Sequence, residues 1–282
     1  MQNETATQAS FLIHNGILCD ATAARPAMTD GALIRGQGAF ETLAAYRGKP
    51  FLVSAHLDRL RHTAEVLDLI CPPDADLIEA MTTVLRANGL AAIAKVRIRI
   101  TLTSPPQGES WFVEASLPPE HKEDARVITI PYVRNERGAL TGLKTINYGE
   151  NVVALKLARA SGADEVLFGN TRDELCEGAW ANVFVCLSGR ILTPPLSSGC
   201  LPGVTRAAVI DLSRDLGFAV AERAIPMAEL PMIYGAFFTS SLREIQWISR
   251  LNGRDLAEPP ALATLKPAFR ELVAHHLDKT AT

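Results

Sequence analysis

In "LKTINYGENVVALKLA", residues 143–158, Lys144 and Tyr148 place an amine and a phenol four residues apart, just ahead of a run with helical patterning. Leu143, Ile146, Val152 and Val153 make the neighbourhood apolar. A lysine amine that is partly buried or close to another cation is a nucleophile. Its usual target is a carbonyl carbon, giving a Schiff base. A nearby phenol can hydrogen-bond an imine or a phenolate. The alternative is a solvated lysine beside a packed tyrosine, and the spacing of the two residues does not by itself choose.

Three further groups extend this chemistry. Glu177 in "CEGAWANVF" stands just before a β-prone run, where a carboxylate needs a partner. An arginine or lysine would satisfy a structural carboxylate. A protonated heterocyclic nitrogen would satisfy a functional one, because the carboxylate keeps the ring cationic and electron-accepting. "LPGVTRAAVI" sets Gly203, Val204 and Thr205 at a helix start, whose backbone N–H groups suit either a phosphate or an ordinary cap. Arg59 in "HLDRL" is, in the simplest case, an exposed helical arginine. An amine for a carbonyl, a carboxylate for a ring nitrogen, a helix start for a phosphate and an assisting arginine are together the parts that a pyridoxal 5′-phosphate site requires.

A net charge of −3 over 282 residues leaves no electrostatic footprint for nucleic acid. The length allows one large domain or two moderate ones, each with a core. No apolar run is long enough to cross a bilayer, so no membrane partner is expected. The opening "MQNETATQAS" lacks a signal-peptide pattern, and the cytoplasm is the expected compartment. Cys19, Cys71, Cys176, Cys186 and Cys200 are odd in number and scattered, without CxxC or Cys/His metal spacing. Neither a metal site nor a disulfide framework is expected. The adjacent His275 and His276 are expected on a helix surface.

The elements that must carry these groups can be read along the chain. "FLIHNGIL" predicts a short strand, and Arg47-Gly48-Lys49 between two β-prone runs predicts a hairpin. Ser54 is placed to cap a helix in which Leu57, Leu60, Ala64 and Leu67 share a face. A second helix is predicted from about Asp76 to Asn88, stopping at Gly89. "AKVRIRITLT" alternates, with Val96, Ile98, Ile100 and Leu102 toward a core and Lys95, Arg97, Arg99 and Thr101 on a polar, basic face. "WFVEASL" predicts another strand, and "PPEHKED" a linker. Beyond it, "EVLFGN" and "AFFTSS" predict strands, "CEGAWANVFVCLSGRILTPP" a hairpin, and Asn252-Gly253 the turn of another. "LPGVTRAAVIDLSRDLG" predicts a loop and helix, and a last helix ends the chain. Strands and helices alternate in both halves, so the class is α/β or α+β with two domains.

Several of these stretches, in order and at matching spacings, resemble the class IV (fold type IV) pyridoxal-phosphate family. They are "RGQGAFETLAAYRGKPFLVSAHLDRL", "GLKTINYGENVVALKLARASGADEVLF", "EGAWANVF", "LTPPLSSGCLPGVTR" and "FFTSSLREI", nearly the whole chain. That family includes branched-chain and D-amino-acid aminotransferases, some (R)-amine transaminases and 4-amino-4-deoxychorismate lyase. The resemblance implies a small N-terminal α/β domain (1–125), a linker (126–140) and a larger cofactor-binding domain (141–282), with the cofactor between them and a homodimer as the usual unit. It further implies that Lys144 carries the Schiff base and moves protons, and that Glu177 pairs with the pyridine nitrogen. Arg59, Gly203, the N–H groups of Val204 and Thr205, and Ser241 would hold the phosphate. Tyr148 would sit near the cofactor's phenolic oxygen, although some relatives have one more residue between lysine and tyrosine and others lack the tyrosine.

The substrate-facing positions point two ways. Phe40 and Thr42 in "FETL", and Leu242 in "TSSLREI", lean toward the lyase branch. Leu102-Thr103 replaces the "RG" pair that often follows this strand in lyases and D-amino-acid enzymes, and Arg35 stands where many relatives carry an aromatic residue. Arg97, Arg99 and Arg35 could bind a substrate carboxylate, or Arg97 and Arg99 could form a solvated basic face. Transamination between an amino donor, a small amino acid or amine, and a keto acceptor is the expected reaction. The alternative is lysis of aminodeoxychorismate to pyruvate and 4-aminobenzoate. A non-catalytic cofactor-binding relative ranks below both, since Lys144 and Glu177 are present.

Overall fold

The computed structural model describes residues 10–279. Residues 1–9, which carry most of the polar opening stretch, lie outside it, as do 280–282. The described chain divides into two units. The first runs to Glu120 and takes in Leu143–Asn147 and the chain from Val273 on, while His121–Gly142 and Tyr148–Leu272 form the second.

The first unit contains β1 (Phe11–His14), β2 (Ile17–Asp20), α1 (Gly31–Arg35), β3 (Ala39–Tyr46), β4 (Lys49–Pro50), α2 (Val53–Val66), α3 (Asp74–Ala87), β5 (Val96–Thr103) and β6 (Ser110–Ser116). Its sheet has the order β2-β1-β6-β5-β3-β4 with antiparallel neighbours. "FLIHNGIL" is a hairpin rather than one strand, because Asn15 and Gly16 both take positive φ and turn the chain back. Arg47 and Gly48 do the same between β3 and β4. The alternation of β5 holds: Val96, Ile98, Ile100 and Leu102 are fully buried. They join Leu43 and Ala45 of β3, Leu57 and Leu60 of α2, and Leu77 and Met81 of α3 in one core. Helix α2 begins without the expected cap: Leu52, in the left-handed region, precedes it, and Ser54 lies inside the first turn.

The second unit contains β7 (Asp124–Arg134), α4 (Gly149–Ala160), β8 (Glu165–Asn170), β9 (Leu175–Gly178), β10 (Asn182–Leu187), β11 (Arg190–Thr193), α5 (Val204–Asp215), β12 (Val220–Glu222), β13 (Gly235–Ser240), β14 (Glu244–Leu251), β15 (Arg254–Asp255) and most of α6 (Leu262–Lys279). Its sheet runs β12-β11-β10-β13-β14-β7-β8-β9, with β15 on β14. Residues 126–134, expected within a linker, are part of β7, which pairs in parallel with both β14 and β8. A parallel pair needs a crossover, and α4 supplies it between β7 and β8. Both faces of this sheet are covered, so β8 is buried along its whole length: Leu167 joins the core on one side, Val166 and Phe168 the core on the other.

The end of α6 belongs with the first unit. His275 is exposed, as expected of a helix surface. His276 is half-buried, its Nε2 3.0 Å from the Pro50 carbonyl oxygen and its ring edge-on to Phe51.

Candidate active site

Lys144 is positioned by its backbone. Its carbonyl accepts from the Phe40 N–H at 3.0 Å, and the Ile146 N–H donates to the Gly38 carbonyl, so residues 144–146 lie alongside the start of β3. The Lys144 N–H donates to the Thr63 hydroxyl at 3.2 Å, and that hydroxyl in turn donates to the Arg59 carbonyl. Close approach of these segments explains the "GQG" pattern. A Cβ on Gly36 would fall 2.0 Å from the Asn147 side chain, and one on Gly38 2.7 Å from Ile146. Gly36 also takes φ +66°, a conformation that glycine adopts at no steric cost.

The side chains of this segment meet the polar face of the first sheet. Cross-strand register sets Thr42 opposite Arg99 and Phe40 opposite Thr101, so all four share one face. The Lys144 Nζ lies 4.3 Å from the centre of the Phe40 ring, and the Arg99 guanidinium carbon 3.9 Å from it. Two cations over one ring are therefore within about 8 Å of each other. Arg99 donates from Nε to the Thr101 hydroxyl. Arg97, next along the face, pairs with Glu114 at 3.1 Å and donates to Ser116 at 3.3 Å. Arg35 stands apart from this group: it is exposed at the end of α1, and its Nη2 donates to Gln37.

On the other face of β3, Glu41 is 0% exposed in a row with Ala39, Leu43 and Ala45. Arg59, which sequence reasoning treated most simply as exposed, is buried against it. Arg59 Nε lies 2.7 Å from Glu41 Oε1 and Nη2 2.8 Å from Oε2, and His56 Nδ1 is 2.8 Å from Oε2. His56, Arg59 and Thr63 recur at i, i+3 and i+7, one face of α2. Burial pushes the Glu41 carboxyl up. The charge and hydrogen bonds of Arg59, with His56 behind them, outweigh burial and hold it down at about 2. Burial likewise pushes the His56 imidazole below its ordinary value of 6.5.

In the second unit Glu177 occupies β9 opposite Phe168 of β8. Its Oε2 accepts the Leu201 N–H at 2.9 Å, and Arg134 Nε stands 3.7 Å from Oε1. Arg134 lies over the Phe168 ring, pairs with Glu150 and donates to Asn151, which in turn donates to the Ala179 carbonyl. The Ala179 N–H donates to Glu165, fully buried and paired with Arg243 at 2.8 Å. One carboxylate thus ties the turn after Glu177 to the Ser241–Arg243 turn between β13 and β14, where Ser241 and Leu242 sit half-buried. Gly203 precedes α5, and a Cβ there would meet Asn182 Oδ1 at 1.9 Å; Asn182 Nδ2 donates to the Leu201 carbonyl. Val204 and Thr205, both buried, open the helix. Tyr148 precedes α4, with its ring centre 5.3 Å from that of Trp180. Cys176 and Cys200 are buried, which pushes both thiols up, Cys200 to about 11.

Lys144, Phe40 and Arg99 therefore converge in the first unit, and Glu177, Gly203 and the Ser241 turn are linked through short networks in the second. Sequence reasoning missed Glu41, His56, Arg134, Asn182 and the Glu165–Arg243 pair. No local pattern marked Glu41, because β3 is buried almost throughout and does not alternate.

Comparison with known proteins identifies the family. The "Probable branched-chain-amino-acid aminotransferase" of Thermotoga maritima is 31% identical over 241 residues, covering 84% of this chain and 87% of that protein. A bifunctional aminodeoxychorismate lyase / D-amino acid transaminase of Mycobacterium tuberculosis is 29% identical, over 86% of this chain and 90% of that one. The crystal structure of the branched-chain aminotransferase of Thermoproteus uzoniensis with norvaline superposes with a TM-score of 0.86 at 29% identity, covering 93% of this chain and 94% of that one. The family profile for class IV amino-transferases matches residues 38–251, from the Gly38 that the lysine segment packs against to the end of β14. That span is most of the chain and takes in Lys144, Glu177 and the start of α5, so this protein belongs to the class IV aminotransferases.

Proposed function

We propose that this chain is a pyridoxal 5′-phosphate-dependent transaminase of a small amino acid, working as a homodimer as its resemblance to the family implies. The donor set suits that cofactor: an amine on a backbone-fixed segment, a carboxylate anchored through one oxygen by Leu201, and a buried helix start that only glycine can precede beside Asn182. When bound, pyridoxal phosphate supplies an aldehyde carbon that condenses with an amine and a pyridinium ring that accepts electrons from the substrate carbon.

Each residue then has one task. Lys144 would hold the cofactor covalently, and its Nζ, once freed, would take up and return the proton of the substrate carbon. Glu177 would hold the proton on the ring nitrogen. As the resemblance implies, Arg59, the N–H groups of Val204 and Thr205, and the Ser241 hydroxyl would hold the phosphate. Tyr148 would sit near the phenolic oxygen, as the resemblance implies. Arg99 would bind the substrate carboxylate, with Phe40 and Thr42 on the same sheet face shaping its surroundings; the resemblance assigns Leu242 to the substrate as well.

The observation that carries the substrate class is the Phe40 ring shared by Lys144 and Arg99. A carboxylate beside an amine, as in an amino acid, matches a guanidinium held that close to the reacting lysine, and a carboxylate-free amine leaves Arg99 without a role. A second reading, lysis of aminodeoxychorismate, is favoured by the relative whose name combines both activities.

The test is the visible absorbance of the holoenzyme with L-glutamate, D-alanine, an (R)-amine and aminodeoxychorismate in separate cuvettes. One amino acid is expected to convert the cofactor to its amine form, and the (R)-amine is not. Conversion by the (R)-amine alone would remove Arg99 from substrate binding, and pyruvate released only from aminodeoxychorismate would establish the lyase. Borohydride reduction should leave the cofactor's mass on the Lys144 peptide and on none in Lys144→Ala.

A further inference from the structure

Glu41 is built expensively. A carboxylate on the core face of a sheet costs several kcal/mol unless its charge and lone pairs are met. Here they are met: His56 Nδ1, Arg59 Nε and Arg59 Nη2 all lie within 2.8 Å, and the Thr42 N–H adds a fourth donor at 3.2 Å. Holding α2 on the sheet does not require this, since Leu57 and Leu60 already pack there fully buried. What the arrangement does accomplish is to fix a guanidinium. Two parallel N–H···O bonds along one edge set the plane and roll of Arg59, which a single contact would leave free to swing. The opposite charges of Glu41 and Arg59 cancel, so Arg59 offers an anion directed hydrogen bonds rather than net positive charge.

We propose that Glu41, assisted by His56, is the positioning residue for the phosphate contact of Arg59, and that this contact works by orientation rather than by charge. The inference rests on the assignment of Arg59 to the phosphate made above. It makes a prediction opposite to simple electrostatics: removing the negative charge of Glu41 adds net positive charge beside the phosphate and yet weakens phosphate recognition.

The experiment measures, by quenching of tryptophan fluorescence, how much more tightly the cofactor-stripped full chain binds pyridoxal 5′-phosphate than pyridoxal. A general loss of structure weakens both ligands alike and leaves this ratio unchanged; a misplaced guanidinium lowers the ratio. Wild type is compared with Glu41→Gln, Arg59→Lys and Arg59→Met. All three variants are expected to lower the ratio about tenfold or more, the lysine variant despite keeping its charge. A ratio that falls in Arg59→Met but stays at the wild-type value in Arg59→Lys or Glu41→Gln would overturn positioning, because charge alone would then suffice. A ratio unchanged in Arg59→Met would instead overturn the assignment of Arg59 to the phosphate, and the inference with it. Should Glu41→Gln fail to fold, Glu41→Asp takes its place: it keeps the charge and withdraws the carboxylate from Arg59, so the ratio should fall, and a wild-type ratio would overturn positioning.

Discussion

At the scale of single residues, Glu41 and His56 make acid stability specific. The Glu41 carboxyl has an ordinary value of 4.5 and a folded one of about 2, so the unfolded chain binds its proton more readily. Stability from this group is complete above 4.5 and is lost as pH falls toward 2. His56, pushed below 6.5, acts in the same sense: the unfolded chain takes up its proton first, so stability begins to decline below 6.5. Urea unfolding at a series of pH values should show wild type losing about 3 kcal/mol more than Glu41→Gln between pH 4.5 and 2. Parallel curves would mean that Glu41 is not ionised in the fold. Lys144 and Glu177 were singled out in the sequence by the resemblance of their motifs to the class IV family together with their local chemistry, since spacing alone left both readings of each open. Glu41 was not, because the donors that make a buried carboxylate tolerable come from α2, and that contact is tertiary.

Elements were the most legible scale. The β5 alternation and the helices around Leu57 and after Gly203 all formed, because periodicity reports which face meets a core. Helix starts were less so: "FLVSAH" offers a serine, and the chain enters α2 through Leu52 in the left-handed region instead. The start of α5 depends on a contact that no local pattern encodes. Gly203 has an ordinary φ of −68°, so alanine is excluded there chiefly by Asn182, with the Arg206 Cβ at 3.2 Å a lesser obstacle. Gly203→Ala should therefore cost about 2 kcal/mol. Asn182→Ala should relieve most of that cost, the double variant losing at least about 1 kcal/mol less than the sum of the singles in thermal or urea unfolding. Strict additivity would show that the two side chains do not compete for one space.

Across the whole molecule, the sequence shows two domains in succession, and the chain is less simply divided. Leu143–Asn147 groups with the first unit although residues on either side group with the second. Proline and charge marked the change near "PPEHKED", whereas nothing in "LKTIN" signals a return, since its ties are backbone bonds to Phe40 and Gly38 and a hydroxyl on α2. The Phe40 and Ile146 amides should exchange with deuterium as slowly as the ladder between β3 and β5. Exchange of Ile146 as fast as that of exposed Gly149 would detach the lysine segment from the first sheet.

The four places where the chain passes between units, after Glu120, Gly142, Asn147 and Leu272, have a consequence for inheritance. A single crossover between two homologous genes anywhere from Gly38 to Leu143 takes the glycine turn from one parent and the lysine segment from the other. The fit of Gly36 to Asn147 and of Gly38 to Ile146 must then survive the change of partner. Shuffling one unit intact would need four breaks, two of them only five codons apart on either side of the lysine. Exchange of parts in this chain must therefore preserve both contacts at once, whereas a point substitution tests one of them at a time.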